Sequence, residues 1–278
     1  MITIKNLKKY EIIVYLITTF LFTWIFWIIA FTSTTLNGSF RIIGSFIPSI
    51  MSIIFTGYYY GKTGIKKLLR KLTIWKFNPL FYVFVFFYTV ISIYIPSFIC
   101  SVVGINYKIH INNHISIFQL TSPVTIIICF FAIVIFGGPL GEELGWRGFI
   151  LPKLQEKINP LTSSIILGVI WTSWHIPMFY FHVSGYDIGF ISYLLETIRL
   201  SILFTWLYNR TKSSLLIVIL YHSFDDFVMS ICANDFMGKF NTYSVILWFI
   251  QLIVLLCVII DMLRKPLKQL KDENYIIT

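Results

Sequence analysis

Three short clusters of ionisable residues lie inside or at the ends of long apolar stretches of this sequence. They are GEELGWRG at 141–148, WTSWH at 171–175 and HSFDD at 222–226. A charged side chain at the centre of a membrane-spanning helix costs about 2.5–3.5 kcal/mol on insertion scales, so ionisable residues there are candidates for a functional site. Carboxylates and imidazoles can accept protons, donate hydrogen bonds to a developing charge, or bind a metal ion.

Helical spacing separates the two adjacent glutamates of the first cluster. Glu143 and Arg147 are four residues apart, so they share a helix face and can pair with the acid on the favourable N-terminal side. Glu142 points about 100° away from that face. Glu143 is therefore an anchored structural carboxylate, while Glu142 is available to take a proton from water. On this cluster alone, however, a pair of interfacial acids that marks a helix end is the favoured interpretation.

The second and third clusters each place a histidine and a partner on one helix face. Trp171 shares a face with His175, so its ring can fix the imidazole, and His222 shares a face with Asp226. A single histidine in a helix is more often a satisfied core residue, and a His–Asp pair can be merely structural. Three such clusters on three predicted helices favour a functional site.

The composition indicates whether these clusters lie in a water-soluble protein or in a membrane protein. Of 278 residues, 57% are hydrophobic and 12% are charged, with a mean hydropathy of +0.81, whereas a soluble domain carries about 25% charge. A soluble globular protein is therefore excluded. A net charge of +10 would suggest a nucleic-acid partner in a soluble protein, but here the charge positions indicate topology, and we predict no nucleic-acid partner. The four cysteines lack the spacing of a disulfide framework or a zinc–thiolate site.

Eight apolar runs are long enough to cross the hydrocarbon core of a bilayer as helices. No linker rich in Pro, Gly or Ser divides them, so residues 1–278 are predicted to be one domain. The predicted fold is all-α, a polytopic transmembrane bundle of about eight membrane-spanning helices. The predicted spans are 12–31, 42–60, 81–103, 124–140, 161–181, 190–207, 215–231 and 243–262.

The distribution of Lys and Arg predicts the orientation of these spans. Eight spans place 18 basic residues on the side of the termini and three on the other, with Arg199 inside the sixth span, where it is predicted to pair with Glu196. By the positive-inside rule, both termini are predicted to be cytoplasmic in a multi-pass protein of the cell membrane. Residues 65–72 have leucines at helical spacing between lysines, which is compatible with a helix on an anionic leaflet or with an ordinary basic loop.

The three clusters together resemble the motifs of a known family. EELGWR, WTSWH and HSFDD are similar to the EExxxR, aromatic-xxxH and HxxxN or HxxxD motifs of the CAAX protease and bacteriocin-processing family, which includes type II CAAX prenyl endopeptidases. Each motif is weak alone, but all three in order on predicted helices are specific. The resemblance covers residues of about 140–226, within a family-like core of about 124–231.

The resemblance implies an intramembrane endopeptidase of the glutamate type and gives each matching residue a role. Glu142 with His175 would activate the hydrolytic water. Glu143 with Arg147 would hold the motif helix in place, with Trp171 in support. Other signatures of intramembrane proteases, GxSG and GxGD, are absent from the sequence.

The resemblance also implies that His222 and Asp226 face the developing oxyanion. Many relatives have Asn at the last position, and an ionised Asp cannot donate a hydrogen bond. We therefore expect Asp226 to orient His222, which donates alone; the alternative is a protonated Asp226. A zinc site is the rival arrangement, since Glu142, His175 and His222 would make a three-ligand catalytic set. HExxH is absent and the resemblance favours water activation without metal, so we predict no cofactor, with zinc as the alternative.

The implied substrate is a peptide or lipidated protein in the lipid bilayer, cleaved near the cytoplasmic leaflet. Leader-peptide, bacteriocin or signalling-peptide processing and self-immunity against a bacteriocin are variants of this chemistry. The alternatives are a non-proteolytic membrane scaffold or immunity protein and a small proton-coupled transporter. A scaffold does not require the ionisable residues, and a transporter is expected to show a two-half repeat, which is not visible.

One feature of the predicted spans conflicts with a shared site. Glu142 lies near the cytoplasmic end of the fourth predicted span, whereas His175 lies about 15 residues into the fifth. The two can meet only if the chain bends, and Gly137-Gly138-Pro139 can break the fourth span.

Overall fold

The computed structural model describes residues 10–105, 107, 109, 114–115, 118–183, 189–232 and 241–265. The predicted all-α bundle is confirmed, with one short antiparallel pair of strands, β1 (His114–Ile115) and β2 (Phe118–Gln119), among the described elements. The helices are α1 Glu11–Thr32, α2 Asn37–Arg70, α3 Leu80–Val102, α4 Pro123–Phe136, α5 Pro139–Glu143, α6 Leu151–Gln155, α7 Pro160–Trp174, α8 Ile176–Tyr180, α9 Phe190–Arg210, α10 Leu215–Cys232 and α11 Thr242–Arg264. Residues Leu144–Ile150 form a π-helix between α5 and α6, and Lys71–Thr73 extend α2 by a 3₁₀ turn.

The bundle carries apolar side chains on its outer surface and many hydroxyl groups inside. Along α1, Ile13, Ile17 and Leu21 are exposed, whereas Thr19 and Thr23 are fully buried. Lipid tails give helices no hydrophobic reason to associate, so close packing and interhelical hydrogen bonds hold such a bundle together. Seven helical segments of the described chain are long and apolar enough to cross a membrane. The chain is a multi-pass membrane protein.

Hydroxyl groups of α1 donate hydrogen bonds to backbone carbonyls of α2, one of which lacks its helical partner. Pro48 lies inside α2 and has no N–H, so the carbonyl of Gly44 loses its helical partner. The Thr23 hydroxyl donates to that carbonyl at 3.2 Å, and the Tyr15 hydroxyl donates to the carbonyl of Pro48 at 2.8 Å. In a bilayer an unsatisfied carbonyl is expensive, so these two hydroxyl groups fix α1 against α2.

The prediction that the fourth span ends at residue 140 is wrong. Helical structure resumes after Gly137 and Gly138, where Gly138 has φ +121°, and runs to Gln155. Residues 141–151 are all buried. Glu143 and Arg147 in this stretch form an ion pair inside the protein, so hydropathy marks the end of the span too early.

This longer segment also changes the predicted count of loop charges. Arg147 and Lys153 belong to the predicted cytoplasmic loops but lie within this segment and are buried, which leaves 16 basic residues on that side. The N-terminal lysines, the tail, Lys108 and Lys239 also enter the count and lie outside the described residues. The asymmetry on which the predicted orientation depends stays large.

The fifth predicted span is broken at His175 into α7 and α8. Pro177 lies in the first turn of α8 and cannot donate the hydrogen bond that would continue α7. The two pieces still traverse the bundle, as their contacts show. Lys153, shortly before α7, pairs with Glu11 at the start of α1, and the Phe181 ring after α8 contacts Phe31 near the other end of α1, about 30 Å away. Among the described residues, this broken run traverses the bundle in addition to the seven candidate spans.

Candidate active site

Glu142 and His175 lie at similar depths in the bundle, which removes the conflict in the predicted spans. Glu142 is 13 residues before Gln155, and His175 is 15 residues after Pro160, with a short turn between those two points. Residues 139–155, here named the motif helix, thus continue towards the end of the bundle at which α7 begins. The site lies deep within the helices rather than at their ends.

Glu142 is a buried carboxylate with one oxygen fixed by an indole. The Trp171 Nε1–H donates to Glu142 Oε2 at 2.6 Å, and Glu142 is 5% exposed. The other oxygen lies over Gly138, where an added Cβ would be 2.5 Å from Oε1. Glycine at this position therefore provides both the left-handed backbone and the space that the carboxylate occupies.

Two further glycines bring the motif helix against the backbone of α2. An added Cβ at Gly141 would lie 2.5 Å from the carbonyl oxygen of Ser45, and one at Gly145 would lie 2.7 Å from that of Pro48. The π-helical turn that follows α5 is a local geometry often found at functional sites. Close packing against α2 fixes the position of Glu142.

Glu143 connects two of the three motifs. Its Oε1 accepts hydrogen bonds from Arg147 Nη1 at 2.9 Å and from His222 Nδ1 at 2.9 Å. The predicted pairing with Arg147 is present, but the contact with His222 was not predicted, because sequence spacing carries no information on which helices adjoin. Glu143 therefore anchors an imidazole as well as its own helix.

The Arg147 guanidinium lies between two aromatic rings. Its central carbon is 4.9 Å from the centre of the Trp171 ring and 4.7 Å from that of Phe204, on α9. Aromatic faces stabilise a desolvated cation, and the planar guanidinium stacks on them. Phe204 has no signal in the sequence that distinguishes it from the other apolar residues of its span.

The backbone of Trp171 determines the tautomer of His175. His175 Nδ1 is 2.8 Å from the Trp171 carbonyl oxygen, which can only accept, so Nδ1 carries a proton. The neutral imidazole then has its lone pair on Nε2. The predicted packing of Trp171 on His175 is an edge contact at 5.9 Å between ring centres, and Trp174 is nearer at 4.7 Å. Trp171 thus contacts Glu142 through its indole and His175 through its carbonyl.

His222 and Asp226 lie on one face of α10, as the spacing indicates. His222 Nε2 is 3.6 Å from Asp226 Oδ2, an ion-pair distance rather than a hydrogen bond. The Trp171 ring is 5.2 Å from the His222 ring. The side chain of Asp226 is 41% exposed, whereas that of His222 is 6% exposed. The site is therefore most open at Asp226.

The neighbouring acid, Asp225, faces a different part of the bundle. It is buried and accepts a hydrogen bond from the Thr89 hydroxyl on α3 at 2.8 Å. Arg199 forms the expected pair with Glu196 and also donates to the Tyr88 hydroxyl at 3.3 Å. These contacts join α3, α9 and α10 beside the site.

The residues of the rival zinc arrangement do not form a ligand group in the part of the chain that the structure describes. Among the described residues, no three His, Cys, Asp or Glu side chains are grouped so that they could hold one. Glu142, His175 and His222 are instead connected through Trp171 and Glu143.

The motifs of this site match a known family model. Residues 123–228 match the type II CAAX prenyl endopeptidase Rce1-like family. This part of the chain is similar to the CAAX protease family. The resemblance seen in the three motifs is confirmed, and residues 123–228 are here named the Rce1-like segment.

A curated relative supports the same assignment. Over 88 residues the chain is 27% identical to a protein described as CAAX prenyl protease 2 from Methanococcus maripaludis. The match covers 29% of this chain and 32% of that protein, so the two are similar over about a third of the relative's length. The Rce1-like segment contains Glu142, His175, His222 and Asp226.

Proposed function

We propose that this chain is a membrane-embedded endopeptidase that cleaves a peptide or lipid-anchored substrate. Cleavage occurs within the bundle, about 20 Å from the end at which α7 begins, and not near the cytoplasmic leaflet as the sequence suggests. The observation that carries the proposal is the Glu142 carboxylate, which is buried and accepts a hydrogen bond from the Trp171 indole. The Trp171 carbonyl holds His175, and the neighbouring Glu143 holds His222. A carboxylate with little water around it is a stronger base than one in solvent, which suits activation of a water molecule.

In this mechanism Glu142, together with His175, takes a proton from water as the water oxygen bonds to the scissile carbonyl carbon. The carbonyl oxygen becomes an oxyanion. The C–N bond then breaks, and the proton held by the carboxyl group passes to the leaving amine. The His175 lone pair on Nε2, set by the Trp171 carbonyl, can accept a hydrogen bond from the same water.

His222 supplies the hydrogen bond to the oxyanion in this proposal. Its Nδ1–H is held by Glu143, so it can donate from Nε2 only as an imidazolium. Carboxylates on both sides, Glu143 and Asp226, stabilise that cation and orient the ring. Asp226 is thus a positioning residue, as the sequence suggests.

The substrate class follows from chemistry and from the relative. The relative's description names a prenyl protease, which points to a lipid-anchored peptide. The same site could cleave other peptides of this class: a leader peptide, a bacteriocin precursor, a signalling peptide or an incoming bacteriocin. We place the protein in the cell membrane with both termini in the cytoplasm.

The test is cleavage by the purified full chain in lipid nanodiscs. The probes are a synthetic peptide with a prenylated C-terminal cysteine motif, the same peptide without the lipid, and peptides encoded next to the gene, all analysed by mass spectrometry. We expect a cleaved product with the wild type and none with Glu142→Gln. A well-folded wild type that binds a probe without cleaving it would favour a scaffold, and uptake of an intact probe into vesicles would favour a transporter.

A further inference from the structure

A second helix begins where α2 leaves its membrane-spanning part. Gly61 has φ +63° and ψ −164°, a conformation that breaks the helix and that L side chains rarely adopt. Residues 37–60 precede the break, and residues 62–73, here named the basic helix, follow it. The basic helix is therefore a separate element with its own direction.

One face of the basic helix is fixed on the Rce1-like segment. Leu68 is fully buried, and an added Cβ at Gly148 would lie 2.8 Å from its Cδ1. Lys71 is also buried, and its Nζ donates to the Gly148 carbonyl at 3.3 Å and to the Tyr208 hydroxyl at 2.9 Å. An ordinary surface loop has no such attachment. The position and orientation of this helix are thus set by the bundle.

The opposite face presents three basic side chains in a row. Lys62, Lys66 and Arg70 follow one another at four-residue spacing and are exposed. None of the three forms an ion pair with a residue that the structure describes. The sequence has no Asp or Glu between Glu11 and Glu142, so the chain offers this face no acid from its own neighbourhood in sequence.

Apolar side chains accompany this charged face. Leu69 is 39% exposed, and Trp75, just after the basic helix, is 60% exposed with Lys76 Nζ 5.1 Å from its ring centre. Trp side chains favour the headgroup level of a bilayer, and amphipathic basic helices lie in that plane. The combination of a basic row, an exposed leucine and a neighbouring tryptophan matches that environment.

We propose that Lys62, Lys66 and Arg70 bind the headgroups of anionic phospholipids in the adjacent leaflet. The ligand group is the lipid phosphate, contacted by two ammonium groups and one guanidinium, while Leu69 and Trp75 reach the acyl boundary. Because Lys71 and Leu68 fix the helix on Gly148, bound lipid stabilises the same bundle that holds the candidate site. This inference does not depend on the proposed proteolysis.

The test compares two triple variants in two lipid compositions. The full chain is placed in nanodiscs of phosphatidylcholine alone or of phosphatidylcholine mixed with anionic phosphatidylglycerol, and its thermal midpoint is measured. We expect the anionic lipid to raise the wild-type midpoint by about 5 °C, and K62Q/K66Q/R70Q to lose most of that increase. The matched control K157Q/K212Q/R264Q removes three exposed charges from other elements and should keep it. Equal losses in both variants, or no increase in the wild type, would overturn the proposal.

A second measurement does not require the triple variant to fold. Bromine on lipid acyl chains quenches nearby tryptophan, and the contribution of Trp75 is obtained by subtracting the signal of Trp75→Phe. In mixed nanodiscs we expect stronger quenching of Trp75 when the phosphatidylglycerol is brominated than when the phosphatidylcholine is brominated in equal amount. Equal quenching would show that Trp75 meets both lipids alike and would contradict selective binding.

Discussion

Glu143 accepts a hydrogen bond from His222, 79 residues later in the chain, on the same oxygen that receives Arg147. One carboxylate oxygen thus joins the first and third motifs. Glu142, the adjacent residue, has a different partner, the indole of Trp171. Substitutions at Glu142 and Glu143 are therefore expected to have different effects on stability and activity.

Glu143→Gln should destabilise the protein, whereas Glu142→Gln should not. The first change leaves the buried Arg147 without its anionic partner, and breaking a buried pair costs about 3–5 kcal/mol. We expect a thermal midpoint about 10 °C lower for Glu143→Gln and within about 2 °C of wild type for Glu142→Gln. Glu142→Gln should show no peptide turnover, because the amide is not a base. Near-normal turnover in Glu142→Gln would remove Glu142 from the catalytic role.

The pattern of apolar residues was enough to predict the helical bundle, because each crossing needs a long apolar run. It failed at the end of the fourth span, where Glu143 and Arg147 compensate each other inside the protein and the run looks interrupted. Spacing along one helix predicted the Glu143–Arg147 and Glu196–Arg199 pairs correctly. The contacts of Glu143 with His222 and of Trp171 with Glu142 join different helices, so local spacing could not predict them.

Trp171→Phe should lower turnover without unfolding the protein. The change removes the N–H that holds Glu142 and keeps a ring beside Arg147. A hydrogen bond to a charged group contributes about 1.5–3 kcal/mol, so we expect kcat to fall by about 10- to 100-fold. The matched control is Trp174→Phe, because the Trp174 indole nitrogen is equally buried and has no hydrogen-bond partner in the described structure. A fall of similar size in the control would show that ring volume, and not the N–H, is what matters.

Thiol labelling in intact cells tests the orientation of the termini. In a background without Cys257, which is exposed, cysteines introduced at Lys66 or Lys212 should be shielded from a membrane-impermeant reagent. A cysteine at Lys108 should react from outside. Permeabilised cells provide the control, since Lys66→Cys and Lys212→Cys must then become reactive. Labelling of Lys66→Cys in intact cells would show that the orientation of the chain is the opposite of the one predicted.

Prolonged chelation tests the role of metal. Catalytic zinc sites use about three protein ligands, and a site without thiolates should release its metal to a strong chelator. We expect turnover to survive chelation and elemental analysis to find well under one zinc per chain. Loss of turnover that added zinc restores would mean that Glu142, His175 and His222 rearrange into a ligand set, and the same treatment of Glu142→Gln would then show reduced zinc uptake.

Asp226→Asn should retain most of the activity that His222→Ala loses. Asp226 lies 3.6 Å from His222 Nε2, and an asparagine keeps an oxygen at that position, while Glu143 continues to hold the other ring nitrogen. We expect turnover of Asp226→Asn within about tenfold of wild type, against the ~10²- to 10³-fold loss that follows removal of an oxyanion donor in His222→Ala. Thermal melts of both variants control for folding, which matters because His222→Ala also leaves Glu143 with one partner fewer. An Asp226→Asn variant as inactive as His222→Ala, with an intact melt, would show that the carboxylate itself is required, and the proton-transfer role would then move from Glu142 to the His222–Asp226 pair.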